Sequence, residues 1–240
     1  MQIVSIPNLP EKRVNTAIAS ISIPIHKRID PIKISCLVPS MAKHADLQVC
    51  HLDGNTVIVC PEAFDYYQRI LFPLGFTVLC GKTKIGRTYP QDAAYNIARV
   101  GRVAFHNTKI TDPVALDYFV EHNIPVVHVK QGYTKCSVVP VCEEAIITAD
   151  KGIAHAARQI GFDVLEVLPG GVSLEGFPYG FLGGAAFLLD KKTMYFTGAV
   201  KNHPSKKEIY AFLKKYSIKI EEGSIPIPMD VGSVIPLLTE

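Results

Sequence analysis

The chain has 240 residues, 48% hydrophobic and 20% charged, enough apolar surface for a folded core and too little charge for disorder. Lys and Arg number 25 against 22 Asp and Glu, and the bases are scattered, so there is no basic stripe to neutralise a run of phosphates and nucleic acid is not an expected partner. No window reaches the roughly 20 apolar residues of a membrane span, and the opening MQIVSIPNLPEKRV lacks the pattern of a secretory leader; a cytoplasmic protein away from membranes is expected.

In chain order, residues 11–20 (EKRVNTAIAS) form a helix-compatible stretch, followed by strand-like ISIPI (21–25) and IKISCLVP (32–39). Residues 47–61 read as a hairpin about Asp53-Gly54-Asn55, residues 62–75 as a helix that Gly75 stops, and residues 76–81 as a short strand. The same order returns in residues 96–107, 112–123 and 124–132, with Asp112 as helix cap and Pro113 at the first helical position. A third copy runs through residues 136–150, 149–161 and 162–170, and a fourth through 185–198, 203–216 and 217–223. The hairpin centres Asn55, Arg102, Glu144 and Lys192 recur at a nearly fixed period, the signature of an internally repeated architecture. The last stretch, DVGSVIPLLTE, is one more strand, so a fifth unit assembled from both chain ends would close a ring and remove exposed sheet edges. An open solenoid or an ordinary α/β sheet is the alternative.

Cysteines 36, 50, 60, 80, 136 and 142 form no CxxC pair and are too sparse for a disulfide scaffold, which predicts free thiols. Cys50, Cys60 and Cys80 lie in apolar β-type runs, where a free cysteine behaves as a small buried hydrophobe. His106, His122, His128 and His155 lack the spacing of a zinc site, and neither a dinucleotide nor a P-loop glycine motif is present, so no metal or cofactor is expected. Phe177-Pro178-Tyr179-Gly180-Phe181 reads either as the lining of a pocket mouth or as a packed loop.

Hairpin, helix and strand repeated about five times resembles the pentein fold, the five-bladed α/β propeller of the guanidine-modifying enzymes. Two motifs carry the resemblance further. His44-Ala45-Asp46, just before a hairpin strand, is similar to the element that holds their acid/base histidine and a neighbouring carboxylate. Gly132-Tyr133-Thr134-Lys135-Cys136-Ser137 is similar to the segment that holds their nucleophilic cysteine. The resemblance implies one pentein domain over residues 1–240, with the starts of the first hairpin strands meeting near an axis. Those starts carry His44 and Asp46, Asp92 and Asn96, Lys135 and Cys136, Gly183 and Gly184, and Asp230 to Ser233.

In such a site Cys136 would attack a guanidinium or amidine carbon, with its thiol pKa lowered by a cationic substrate, Lys135 or protonated His44. His44 would protonate the departing amine and activate water, while Asp46 and Asp92 hold the planar cation. Asn96, Lys135, Gly183, Gly184, Asp230 and Ser233 complete the expected ligand contacts. One departure bears on activity: related hydrolases carry the cysteine in the last repeat, whereas here that repeat reads MDVGSV and Cys136 follows His44 by two repeats. The resemblance therefore implies a small guanidino or amidino ligand and either a hydrolase acting on C–N bonds or a non-catalytic ligand-binding or protein-interaction module of the same fold.

Overall fold

The computed structural model describes residues 1–240. After β1 (Gln2–Ile3), β2 (Val14–Ile18) and β3 (Lys27–Ile29), the first full unit comprises β4 (Val49–Asp53), β5 (Thr56–Val59), α1 (Phe64–Leu71) and β6 (Thr77–Cys80). The second comprises β7 (Ala98–Val100), β8 (Val103–His106), α2 (Pro113–Glu121) and β9 (Val126–His128). A single helical turn, α3 (Thr134–Ser137), opens the third, followed by β10 (Val138–Cys142), β11 (Ala145–Thr148), α4 (Lys151–Gln159) and β12 (Asp163–Glu166). The fourth holds β13 (Ala186–Asp190), β14 (Thr193–Gly198), α5 (Lys206–Lys215) and β15 (Lys219–Ile225), and β16 (Ile235–Thr239) ends the chain. No helix is long and apolar enough to cross a membrane.

The result is a mixed α/β fold of five small sheets. In each of the four full units an antiparallel hairpin is extended by a parallel third strand, after the helical crossover that parallel pairing requires. Local chemistry explains the boundaries. Gly54 and Gly101 supply the positive φ of two tight hairpin turns, at +46° and +54°. Asp112 caps α2 by accepting from Val114 N at 2.9 Å, and Asp150 caps α4 by accepting from Ile153 N at 2.8 Å. Gly75, at φ +89°, stops α1 and its 3-10 extension. Each crossover helix buries residues at four-residue spacing against its sheet: Tyr67 and Leu71, Ala115 and Phe119, Ile153 and Ala157, Ile209 and Leu213.

The fifth sheet has the order β1-β16-β2-β3. Here β16 pairs antiparallel with β2, and β2 pairs parallel with β3, so the two chain ends rebuild the pairing pattern of the other four. Three expectations fail in this unit. Residues 11–20 hold strand β2 rather than a helix, and neither 21–25 nor 32–39 is a strand. Val14, Ala17 and Ile18, whose spacing also suits a helix face, are buried by pairing with β16 on one side and β3 on the other. The connection 19–26 is too short for a helical crossover, and the third strand is instead Lys27–Ile29.

All six cysteines are free thiols. Cys50 and Cys60 are buried as expected, but Cys80 is exposed, because it ends β6, an outer strand with a neighbour on one side only.

Neighbouring units are joined by buried polar contacts as well as apolar ones. Arg99, on β7 and 1% exposed, donates from Nε to Leu52 O and from Nη1 to Val103 O, both at 2.6 Å. Its Nη2 lies 3.9 Å from Asp53. The guanidinium thus ties the first unit to the second. Arg99→Ala removes two charge-assisted bonds and strands two carbonyls; it should lower unfolding free energy by about 3 kcal/mol or more, measured by urea denaturation.

Candidate active site

Each of β4, β7, β10, β13 and β16 is preceded by a short turn, and these five turns carry the ten residues singled out from the sequence. They are the 3-10 turn Ala45–Leu47 after His44, the turn over 92–96, α3, the 3-10 turn Leu182–Gly184, and residues 230–233. Cys136 therefore sits on a helical turn; the strand begins only at Val138.

Asp46 is at the centre, with no exposed surface. Its Oδ2 accepts the Cys136 thiol at 2.8 Å and the Ser233 hydroxyl at 2.6 Å, and its backbone N–H donates to Gly232 O at 3.2 Å. Asn96 bonds Cys136 twice, donating from Nδ2 to Sγ at 3.1 Å and accepting the Cys136 N–H at Oδ1 at 3.2 Å. Its backbone carbonyl accepts the N–H groups of Thr134 and Lys135, both at 3.1 Å, which fixes α3 against the second unit. Asp230 accepts Phe181 N at 2.9 Å and Gly232 N at 3.0 Å. Ser233 holds φ at +62°, unfavourable for a side-chain-bearing residue, and this conformation accompanies the bond to Asp46.

The glycines act by what they lack. A Cβ on Gly183 would run into the carbonyls of Lys135, Cys136 and Val138, and one on Gly184 into the Asp230 carboxylate. The protein itself fills the space beside both, so they permit close approach of backbone rather than present an open platform. Lys135 is buried, forms no ion pair within 4.0 Å, and lines a void of about 10 Å³ with Asn8, Cys50 and His51. It stands outside the hydrogen-bonded group around Cys136.

Electrostatics run against the expectation of an activated thiol. Burial, the charges of Asp46 and Asp230 and the hydrogen bond to Asp46 push the Cys136 pKa well above its usual value, outweighing the Asn96 donor. Lys135 does not reverse this; burial lowers its own pKa. Burial also raises the carboxyls of Asp92 and Asp230. Three polar atoms of the group are buried without a partner: His44 Nε2, Asp46 Oδ1 and Asp92 Oδ1.

Sequence reasoning left Tyr133 out of the site. Its hydroxyl donates to Asp92 Oδ2 at 2.7 Å, and its ring lies 5.2 Å from that of Tyr89 and 6.3 Å from that of Phe181. The available signal was its place within the same motif as Cys136. Tyr179, Gly180 and Phe181 line a cavity of about 250 Å³ that opens beside the group and does not include Cys136, His44 or Asp46.

Residues 12–235 match a family of unknown function, DUF6873. The chain belongs to this family. No curated protein sequence matches it significantly. In fold this DUF6873 chain is similar to the inosamine-phosphate amidinotransferase of Streptomyces griseus, with a TM-score of 0.60 and 10% identity over 100% of this chain and 97% of the other. It is also similar to an amidinotransferase of the saxitoxin biosynthetic pathway from Microseira wollei (TM-score 0.55, 11% identity, 92% and 91% covered). A third similar structure is a cysteine-to-serine mutant of DDAH from Pseudomonas aeruginosa, complexed with citrulline (TM-score 0.53, 9% identity, 88% and 92% covered). The chain shares the fold of these three enzymes, in line with the pentein-like repeats of its sequence.

In the DUF6873 chain the Asp46 carboxylate stabilises thiol over thiolate, so its neutralisation must lower the Cys136 pKa. Peptide-resolved alkylation should find native Cys136 slow at neutral pH, and Asp46→Asn should move its pH midpoint downward. An unchanged or higher midpoint would contradict the assignment.

Proposed function

We propose that residues 1–240 form one closed, five-unit pentein domain that acts in the cytoplasm on a small guanidino or amidino compound. The observation that carries this reading is the pair of unpartnered carboxylate oxygens, Asp46 Oδ1 and Asp92 Oδ1, in a buried group where Asp46, Asp92 and Asp230 have no ion pair. Buried carboxylate oxygens without a hydrogen-bond partner are costly, and a planar cation with several N–H donors could satisfy two of them at once. The similarity in fold to amidinotransferases and to DDAH supports the same ligand class.

With the cation in place, the charge that opposes thiolate formation is offset, and the thiol gives up its proton along its bond to Asp46. Cys136 Sγ then bonds to the amidino carbon and the bond from that carbon to the leaving amine breaks, His44 supplying the amine's proton. Water, deprotonated by His44, would release the amidino group and regenerate the thiol, making the protein a hydrolase of C–N bonds. A second amine in place of water would make it a transferase.

One observation favours a second reading, a non-catalytic ligand-binding or protein-interaction module. The thiol donates to Asp46, while His44 Nε2 is bonded to nothing. The two readings separate on Cys136→Ala: the enzyme loses turnover of a bound guanidino compound, whereas the binding module keeps its affinity and never turns it over.

The enzyme and the guanidino-binding module both require the carboxylates, whereas a protein-interaction module does not. Asp46→Asn or Asp92→Asn should weaken binding of a simple alkylguanidine at least about tenfold, measured by calorimetry. Burial raises Asp92 and Asp230 in the free protein and a bound cation favours their ionised forms, so binding releases protons. Affinity should therefore strengthen as pH rises above the ordinary carboxylate range, and the apparent enthalpy should change with buffer ionisation enthalpy. Proton uptake on binding would contradict the model of cation-filled carboxylates.

A further inference from the structure

The cavity of about 250 Å³ beside the axial group has room for about eight waters at their liquid volume of about 30 Å³ each, or for a small organic moiety. It lies between the third and fourth units, against the segment 167–182. Its wall is shared with the axial group. Ser137 follows Cys136 on α3, the Phe181 N–H donates to Asp230, and a Cβ on Gly180 would fall against the Asp230 side chain.

The polar lining is specific. Ser137 is 4% exposed and its Oγ has no partner, an expensive state for a buried hydroxyl. Asp150 spends Oδ1 on the α4 cap, while Oδ2 accepts Gln131 Nε2 at 3.1 Å and keeps capacity for a second donor. His203, 3% exposed, accepts Ser205 N–H at Nδ1 at 3.0 Å, which leaves the proton on Nε2 and that atom free. Burial lowers the His203 pKa, so the ring is neutral. No Lys or Arg lines the cavity, and the only formal charge facing it is that of Asp150. The remaining wall is apolar and aromatic.

We propose that this cavity is the tail subsite for the guanidino ligand, and that it selects an alkyl tail ending in a hydrogen-bond donor, ammonium or hydroxyl, over one ending in a carboxylate. The identity of the head group rests on the reading given above. Asp150 and Ser137 receive the donor, the apolar wall takes the alkyl chain, and the absence of any cation leaves a carboxylate facing Asp150 with no counter-charge.

The chain contains no tryptophan, so a Tyr179→Trp variant carries a single reporter at the cavity. Its fluorescence is titrated with aminobutylguanidine and with guanidinobutanoate, which differ in ammonium against carboxylate. The amine should give a saturable change, with the carboxylate at least about tenfold weaker. Asp150→Asn, which preserves the helix cap, should shrink that ratio toward one, and Ser137→Ala should weaken the amine. Equal binding of the two probes, or a ratio unchanged by Asp150→Asn, overturns the subsite. If Asp46→Asn abolishes binding while Asp150→Asn leaves the ratio intact, the subsite alone fails and the axial reading stands. Dependence on Asp150 without dependence on Asp46 overturns the link to the axial group.

Discussion

One carboxylate, that of Asp46, organises the centre of this molecule. A single oxygen takes a thiol from the third unit and a hydroxyl from the fifth, while the backbone N–H of the same residue donates to Gly232 of the fifth. In a buried, low-dielectric setting such charge-assisted bonds are strong, and leaving them unmade is costly. The constraint is geometric as well as energetic. Two turns can reach one oxygen only if their strand starts converge, which demands glycine at 183, 184 and 232, where any side chain would meet a neighbouring unit.

The polar balance around that carboxylate is unfinished. Three carboxyls, a thiol and an imidazole are gathered in one buried place, and the nearest lysine makes no ion pair with them. Arg99 shows the contrast, since its Nε and Nη1 both find carbonyls at 2.6 Å. The unpartnered oxygens of Asp46 and Asp92 are the observation on which the proposed cation site rests. Burial and the charges of Asp46 and Asp230 push the Cys136 pKa up, so the proposed reading makes ligand charge the means of thiol activation.

Much of this was legible in the sequence wherever the signal was local. Gly54, Gly101 and Gly75 mark turns because only glycine takes positive φ cheaply, and Asp112-Pro113 and Asp150 mark helix starts because a carboxylate satisfies orphan amides there. The amino-terminal unit was misread because Val14, Ala17 and Ile18 fit a helical face, and the strand that buries them lies more than two hundred residues away at β16. Cys80 was misread for a related reason: an apolar run predicts a strand, but whether that strand is inner or outer depends on what pairs with it. Tyr133 was overlooked because a tyrosine near a glycine is unremarkable until Asp92 is seen 2.7 Å from its hydroxyl.

The sequence by itself determined the repeated unit, the placement of ten polar or glycine positions at the starts of first strands, and the free-thiol chemistry, since periodicity, turn residues and caps act over a few residues. Tertiary structure alone decided which of those positions touch. It brought Cys136 to Asp46 rather than to His44, set Lys135 apart, raised the thiol pKa instead of lowering it, and opened a cavity behind Phe181. The reason is that contact, burial and local dielectric depend on the relative placement of whole units, which residues far apart in the sequence decide together, as where β2 pairs with β16.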